Sequence, residues 1–181
     1  ENEWLLIKKA YETKRLYLGE KVMTWCASCE TALAKHELEY QNVKDSSIFV
    51  KLRTKKNEFL IVWTTTPWTI AFNLGVMVNP KLDYVKAKVN GETWILAKAL
   101  AGPVIQHFTK SKLDIIETFK GSKLKGTKYE HPFNDTLKNK YDEIKKDHPN
   151  VFTVVLSERY VDTSAGTGLV HLAPGCGPED Y

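Results

Sequence analysis

Arginine is scarce in this chain: of 26 basic residues only Arg15, Arg53 and Arg159 carry a guanidinium. The planar fork that grips phosphates and base edges in pairs is thus largely missing, and a net charge of +4 is too small for a dedicated duplex-binding stripe. Lysine suits loose steering of phosphates, so contact with a nucleic-acid end is permitted rather than demanded. Three cysteines, few and odd in number, argue against a disulfide scaffold and for a reducing, cytoplasmic setting. No apolar run approaches the roughly 20 residues that a membrane span needs. The opening Glu1-Asn2-Glu3-Trp4 has neither the basic nor the apolar region of a secretory leader. Internal repeats and low-complexity segments are lacking as well. What remains is 181 residues, 43% hydrophobic and 27% charged, suited to one globular domain with at most a small appendage. With no initiator Met, and with Tyr181 directly behind a dense Gly/Pro stretch, the expectation is a piece excised from a longer protein.

Residues 3–18 place Trp4, Leu5, Ile7, Ala10, Tyr11 and Tyr17 at roughly helical spacing, with Gly19 as a C-terminal stop. Thr24-Trp25-Cys26-Ala27-Ser28-Cys29 reads as a short turn carrying two thiols, and Thr31 to His36 as a helical turn or loop. From Ile48 the texture changes. Residues 48–53 and 59–64 are β-rich around a polar turn at 55–57, and 82–89 and 92–97 flank Asn90-Gly91. Asn-Gly between two such runs is the strongest short hairpin signal, because both turn residues must accept positive φ. Residues 98–108 read as a short helix weakened by Gly102-Pro103, and further strands are expected at 113–119, 127–131, 151–156 and 167–172. The Lys/Asp-rich stretch 136–148 reads as an exposed helix or loop. The regular strand–helix alternation of a parallel sheet is missing, so the expected class is α+β, mainly β: a closed or strongly curved barrel over 45–181 with short peripheral helices. Residues 1–44 form an N-terminal helical appendage in this reading.

Two stretches carry candidate chemistry. In Trp63-Thr64-Thr65-Thr66-Pro67-Trp68-Thr69 three threonines end a strand, Pro67 can open a helix and Thr66 can cap it, so hydroxyls and free N–H groups converge where developing negative charge is favoured. The plainer account is that threonine favours strands and caps anyway. The second stretch runs from Ala165 to Asp180. Its Gly166-Thr167-Gly168 invites a dinucleotide fingerprint, but a third glycine and a following helix are wanting, and a strand-like run into Pro174 takes their place. Close backbone approach at a pocket wall explains the glycine pair better. His171 then ends a strand, and Asp180 lies beyond a Gly/Pro loop able to fold it back; singly, a strand-end histidine and a post-loop aspartate are more often structural. A Cys176–His171–Asp180 hydrolase is a weaker alternative, for nothing supplies an oxyanion turn at Cys176. Cys26-x-x-Cys29 has the spacing of half a structural zinc site, with His36 and Cys176 the available candidates by residue type.

Taken together, Thr64-Thr65-Thr66-Pro67-Trp68-Thr69 and Gly166-Thr167-Gly168-Leu169-Val170-His171-Leu172-Ala173-Pro174-Gly175 strongly resemble the paired signatures of the isoleucyl-tRNA synthetase editing domain (connective polypeptide 1). Trp25-Cys26-Ala27-Ser28-Cys29-Glu30-Thr31-Ala32-Leu33 is similar to the stretch leading into that domain, so the resemblance covers nearly the whole chain. The valyl and leucyl relatives generally have Thr-x-Arg-Pro in the first stretch and lack the Val-His of the second. Thr66 with Val170-His171 therefore favours isoleucyl. The resemblance implies a β-barrel inserted in a class I, ATP-using ligase, hydrolysing Val-tRNA(Ile) without a metal, and possible clearance of valyl-adenylate. It implies that Thr64, Thr65 and Thr66 line the ester and terminal adenosine, with Asn73 lining the site downstream of them. Further, it implies that His171 contacts the misattached side chain and that Asp180 holds the α-ammonium group. Trp63, Trp68, Gly168 and Val170 are the accompanying substrate-binding candidates. Cys26 and Cys29 resemble half a zinc knuckle whose partners lie beyond these 181 residues, so the half-site is expected to be empty here. Partners implied are the valine-charged 3′ acceptor end of tRNA(Ile) and the remainder of the synthetase in cis, with a monomer and no membrane. Two positions depart from the pattern: Cys176 stands where many relatives have histidine, and Ile70-Ala71-Phe72 replaces a Leu-Pro version. Neither His-x-Gly-His nor Lys-Met-Ser-Lys-Ser occurs, so no synthetic site is expected.

Such a module answers a physical limit. One methylene in an apolar pocket discriminates by only about 1–3 kcal/mol, and the choice of isoleucine over valine is itself the standing example of that limit. A second pocket must then supply an anion for the ammonium, a steric wall, and polar groups that hold ester and water. Asp180, His171 and the threonines are the residue types for those tasks, and an activated ester needs no more than a positioned water. Two rivals come from other classes. One is a non-catalytic grip on the acceptor end, stacking bases on Trp63 and Trp68, which would gain little from Asp180. The other is a zinc-dependent structural fragment.

Overall fold

The computed structural model describes residues 2–55, 57–109 and 113–180; Lys56, in the expected turn at 55–57, lies outside the described residues. The chain divides into two units, Glu1–Glu39 and Tyr40–Tyr181.

In the first unit, helix α1 (Asn2–Glu12) ends well before Gly19, and none of its residues is buried. The Thr13 hydroxyl bonds back to the carbonyls of Lys9 and Ala10, Lys14 turns at φ 56°, and the Arg15 and Leu16 N–H groups share the Ala10 carbonyl. These bonds satisfy the last carbonyls and stop the helix without a glycine. Strands β1 (Trp25–Cys26) and β2 (Thr31–Ala32) pair antiparallel around the two thiols. A 3₁₀ turn follows at Lys35–Glu37.

The second unit holds β3 (Ile48–Lys55), β4 (Glu58–Thr64), β5 (Gly75–Val78), β6 (Asp83–Val89), β7 (Glu92–Ala97), β8 (Asp114–Lys120), β9 (Thr153–Leu156) and β10 (Leu169–Leu172). Five of them form a sheet in the order β3-β4-β7-β6-β8, and three form a second in the order β10-β5-β9. Asn90 (φ 49°) and Gly91 (φ 83°) make the expected β6–β7 turn. The sequence reading overlooked β5. All four of its residues are buried, so it has no polar–apolar alternation, and a short apolar run cannot be typed by period.

Residues 127–131, expected as a strand, instead make two isolated bridges, Lys128 to Thr153 and Glu130 to Arg53, one to each sheet. Glu130 N–H bonds to the Arg53 carbonyl at 2.8 Å, and Tyr129 N–H to the Phe152 carbonyl at 3.0 Å. Elsewhere Ala97 N–H reaches the Thr167 carbonyl at 2.9 Å and the Tyr84 hydroxyl donates to the Gly168 carbonyl at 2.7 Å. The result is strand-rich α+β: two sheets stitched together around one core that includes Leu60, Val62, Val76, Val78, Val85 and Leu96. Helix α2 (Lys98–Thr109) packs on β6 and β7 through Ala101, Val104 and Ile105 and tolerates Pro103 inside it. The stretch expected as helix or loop is helix α3 (Asn134–Asp147), which buries only Tyr141.

Gly168 shows how tight the stitching is. Its φ is +72°, and a Cβ there would stand 2.4 Å from that of Ala97. Gly91 has a similar φ but open space around it. Gly168→Ala should therefore cost about 2–4 kcal/mol, combining overpacking with backbone strain. Gly91→Ala should cost only about 1 kcal/mol, from strain alone. Urea midpoints of the two variants check this; equal losses would mean that the Ala97 contact relaxes freely.

Candidate active site

Strand β4 ends at Thr64, and a six-residue 3₁₀ turn, Pro67–Phe72, follows. Residues three apart nearly eclipse in such a turn, which brings Thr66 and Thr69 side by side. Strand β10 lies antiparallel to β5 with His171 opposite Val76, and this pairing carries the imidazole to the threonines. The contacts run Thr64 Oγ1–Thr66 Oγ1 at 3.2 Å, Thr66 Oγ1–Thr69 Oγ1 at 3.2 Å and Thr69 Oγ1–His171 Nε2 at 3.0 Å.

Proton positions follow from the acceptors. The Thr69 hydroxyl donates to the Thr66 carbonyl at 2.7 Å, so its oxygen must accept from His171 Nε2–H. Thr64 Oγ1 accepts the Thr66 N–H at 3.1 Å and shares a second hydrogen bond with Thr66 Oγ1. His171 is thus the neutral Nε2–H tautomer, and its Nδ1 is a buried lone pair with no partner. Burial pushes the His171 pKa down, opposed by the charge of Asp180. The Gly/Pro loop does fold Asp180 back: Oδ2 accepts the Ala173 N–H at 3.0 Å.

Not every expected residue joins this cluster. Thr65 is exposed. Thr66 does not cap the turn with its side chain, because its hydroxyl is held between Thr64 and Thr69; a turn of six residues also lacks the dipole of a long helix. Asn73 is wholly buried: its amide donates to the Gly75 carbonyl at 2.8 Å and its oxygen accepts a short bond from the Tyr129 hydroxyl. It braces the turn from within. Trp63 faces a separate hollow of about 690 Å³ beside Phe49, Phe108 and Gly166. Trp68 is 66% exposed. Val170 is half-buried opposite Met77, and Gly168 serves the contact with Ala97. Cys176 is exposed, and only its backbone N–H bonds, to the Ala173 carbonyl, among the described residues.

Three residues escaped the sequence reading. Thr69 carries the link to His171, and its i, i+3 spacing from Thr66 was the available signal. Tyr129 holds Asn73. His131, buried, donates from Nε2 to the Ile70 carbonyl at 2.9 Å while Nδ1 accepts the Phe133 N–H at 3.1 Å, which makes it neutral as well. Nothing local marks Tyr129 and His131, which lie about 60 residues from the turn they support.

In the first unit, Cys26 Sγ accepts the Cys29 N–H at 3.4 Å. Hydrogen bonds from Cys29 and Ser28 lower the Cys26 pKa, as befits a thiolate ligand. No third His, Cys, Asp or Glu gathers with the pair among the described residues.

The profile of the family described as tRNA synthetases class I (I, L, M and V) matches residues 1–153. The chain is 44% identical over 189 residues to the isoleucine–tRNA ligase of Pyrococcus horikoshii, covering 100% of this chain and 17% of that protein. It is 42% identical over 185 residues to that of Saccharolobus solfataricus, covering 99% and 18%. It therefore spans less than a fifth of the length of these curated relatives. The crystal structure of GlLeuRS-CP1 superposes with a TM-score of 0.57 at 20% identity, over 75% of this chain and 58% of that one. That likeness concerns the fold.

Two histidines held neutral by burial make stability depend on pH. His131 and His171 lie below the ordinary value of 6.5, so the unfolded chain takes up protons that the folded chain refuses as pH falls through 6.5. Their contribution is complete above that pH and is lost below it. The lowered carboxylates Asp83 and Glu58 titrate below their ordinary 3.8 and 4.5 and leave this window clear. At constant salt, Tm should fall between about pH 7.5 and 5.5; a flat Tm would show both rings protonating freely in the fold.

Proposed function

This chain belongs to the class I tRNA synthetases, and on that premise we propose that its β-domain is the editing domain of an isoleucyl enzyme, hydrolysing valine from tRNA(Ile). The observation that carries the reading is the meeting of the threonine–histidine chain with a carboxylate returned by the Gly/Pro loop. In the proposed site the Asp180 charge receives the α-ammonium group of the esterified amino acid. Its Oδ2 is already fixed by Ala173 N–H, so the carboxylate is pre-organised and little is lost in ordering it.

Neutral His171, fixed by Thr69, forms the wall against the side chain: it admits valine and rejects the extra methylene of isoleucine. A rigid wall discriminates better than a loose one, and the 3.0 Å bond to Thr69 supplies the rigidity. Exposed Thr65 and half-buried Thr66 stand where the ester and terminal ribose arrive. Water is the nucleophile in this proposal. The Thr69 hydroxyl proton is committed to a carbonyl, and the imidazole nitrogen facing it is the one that bears hydrogen, so His171 cannot deprotonate Thr69. The ester is activated already, and polarising its carbonyl while holding a water suffices.

Synthesis of the aminoacyl ester by the rest of a synthetase acting in cis, a cytoplasmic setting, and zinc at Cys26 and Cys29 completed by ligands outside these residues belong to the same proposal. The rival is a domain that only grips the acceptor end, and the exposed Trp68 would suit it.

Asp180→Asn decides between them, because it keeps an oxygen for the Ala173 N–H and removes the charge. Deacylation of Val-tRNA(Ile) by the variant should fall roughly a hundredfold, the size of a lost charged hydrogen bond, with Tm unchanged. Ile-tRNA(Ile) should be spared by the parent protein. Binding of the acceptor end without hydrolysis by parent or variant would favour the grip.

A further inference from the structure

Thr64 is one end of β4; the other end is Glu58, roughly 20 Å away along the strand. There the surface opens into a hollow of about 510 Å³, the size of a small-ligand pocket. Its apolar lining includes the buried rings and chains of Phe119, Leu124 and Ile95. Around them stand Lys55, Lys86, Lys123 and Lys128 against Glu58 and Glu117, four positive charges against two negative, a surplus of two.

The pairing within this set is uneven. Lys86 is half-buried and serves both acids, with Glu58 at 2.9 Å and Glu117 at 3.8 Å. Glu58 is further fixed by the Thr54 hydroxyl at 2.8 Å. The acids are thus held by the central lysine. Lys55, Lys123 and Lys128 make no ion pair among the described residues, although Lys55 lies near enough to draw the Glu58 pKa down. Lys55, Lys123 and Lys128 thus line one hollow with no acidic partner of their own among the described residues. An anion seated among them supplies the counter-charge that the hollow's two acids, held by Lys86, do not. Elsewhere on this domain Lys51 pairs with Glu92, Lys81 with Glu158 and Lys120 with Asp83.

We infer that this hollow is a second binding site, which takes a phosphate group between Lys55, Lys123 and Lys128. Lysine, a compact charge on a flexible stem, recognises phosphate without demanding one orientation. Two sources share that chemistry, a free di- or triphosphate and the backbone of an RNA strand. Neither Asp180 nor His171 takes part, so the inference stands apart from the hydrolase reading.

The test is calorimetric titration of the whole chain with pyrophosphate and, separately, with a short RNA duplex bearing no ester. Lys55→Gln/Lys123→Gln/Lys128→Gln should weaken binding roughly tenfold, from three partly exposed contacts. Lys138→Gln/Lys140→Gln/Lys146→Gln on α3 alters net charge equally and should bind like the parent. That pattern with pyrophosphate supports a free-phosphate site; the same pattern with RNA alone supports a backbone site. Binding of neither probe, or equal weakening in both triple variants, overturns the inference. Should the first triple variant not fold, the side-chain ammonium NMR signals of Lys55, Lys123 and Lys128 in the parent must shift on titration, and unmoved signals overturn it too.

Discussion

The register of β10 on β5 is the constraint on which the candidate site depends. His171 stands opposite Val76, four pairs hold the ladder, and the imidazole meets Thr69 across 102 residues of chain. Side chains alternate between faces, so a slip of one residue would turn His171 away from the threonines and bring Val170 or Leu172 in its place. The strand pairing and the turn that leads into β10 enforce the register. The buried β5 pairs with it by hydrogen bonds, while Gly168 presses against Ala97 and leaves no room for a side chain.

Behind the threonines lies a second layer of buried polar groups, each with one function. Tyr129 and Gly75 use up Asn73; the Ile70 carbonyl and Phe133 N–H use up His131. In a medium that penalises unpaired polar groups, such hydrogen-bonded groups rigidify what they touch. They touch the backbone of Pro67–Phe72, whose shape aligns Thr66 with Thr69. By contrast, His171 Nδ1 is left unmatched, the one buried side-chain polar atom without a partner among the described residues. That nitrogen belongs to the ring whose pKa the nearby Asp180 charge raises against burial.

Charge is distributed to suit two ends of one strand. At Thr64 the surroundings are hydroxyls, a neutral ring and a single carboxylate. At Glu58 they are lysines in surplus over acids.

Much was legible along the chain, because local rules govern it: the Asn90-Gly91 hairpin, the helix over Gly102-Pro103, most strand positions and the gathering of threonines at a strand end. The glycine pair, the strand-end His171 and the loop that returns Asp180 were visible too, as motifs of unusual density. The rest required tertiary structure. Strand β5 is buried on both faces and therefore shows no period. Residues 127–131 look like a strand yet serve as a bridge, because their partners belong to two different sheets. Asn73 and Trp63 sit beside the threonines in sequence but point elsewhere, since neighbours in a strand or tight turn face different sides. Thr69, Tyr129 and His131 acquire their roles from groups 56 to 102 positions away. Sequence determined which local shapes the chain prefers, because backbone propensity and turn chemistry act over a few residues; tertiary structure alone decided which side chains meet, because burial and strand register couple residues that the chain keeps far apart.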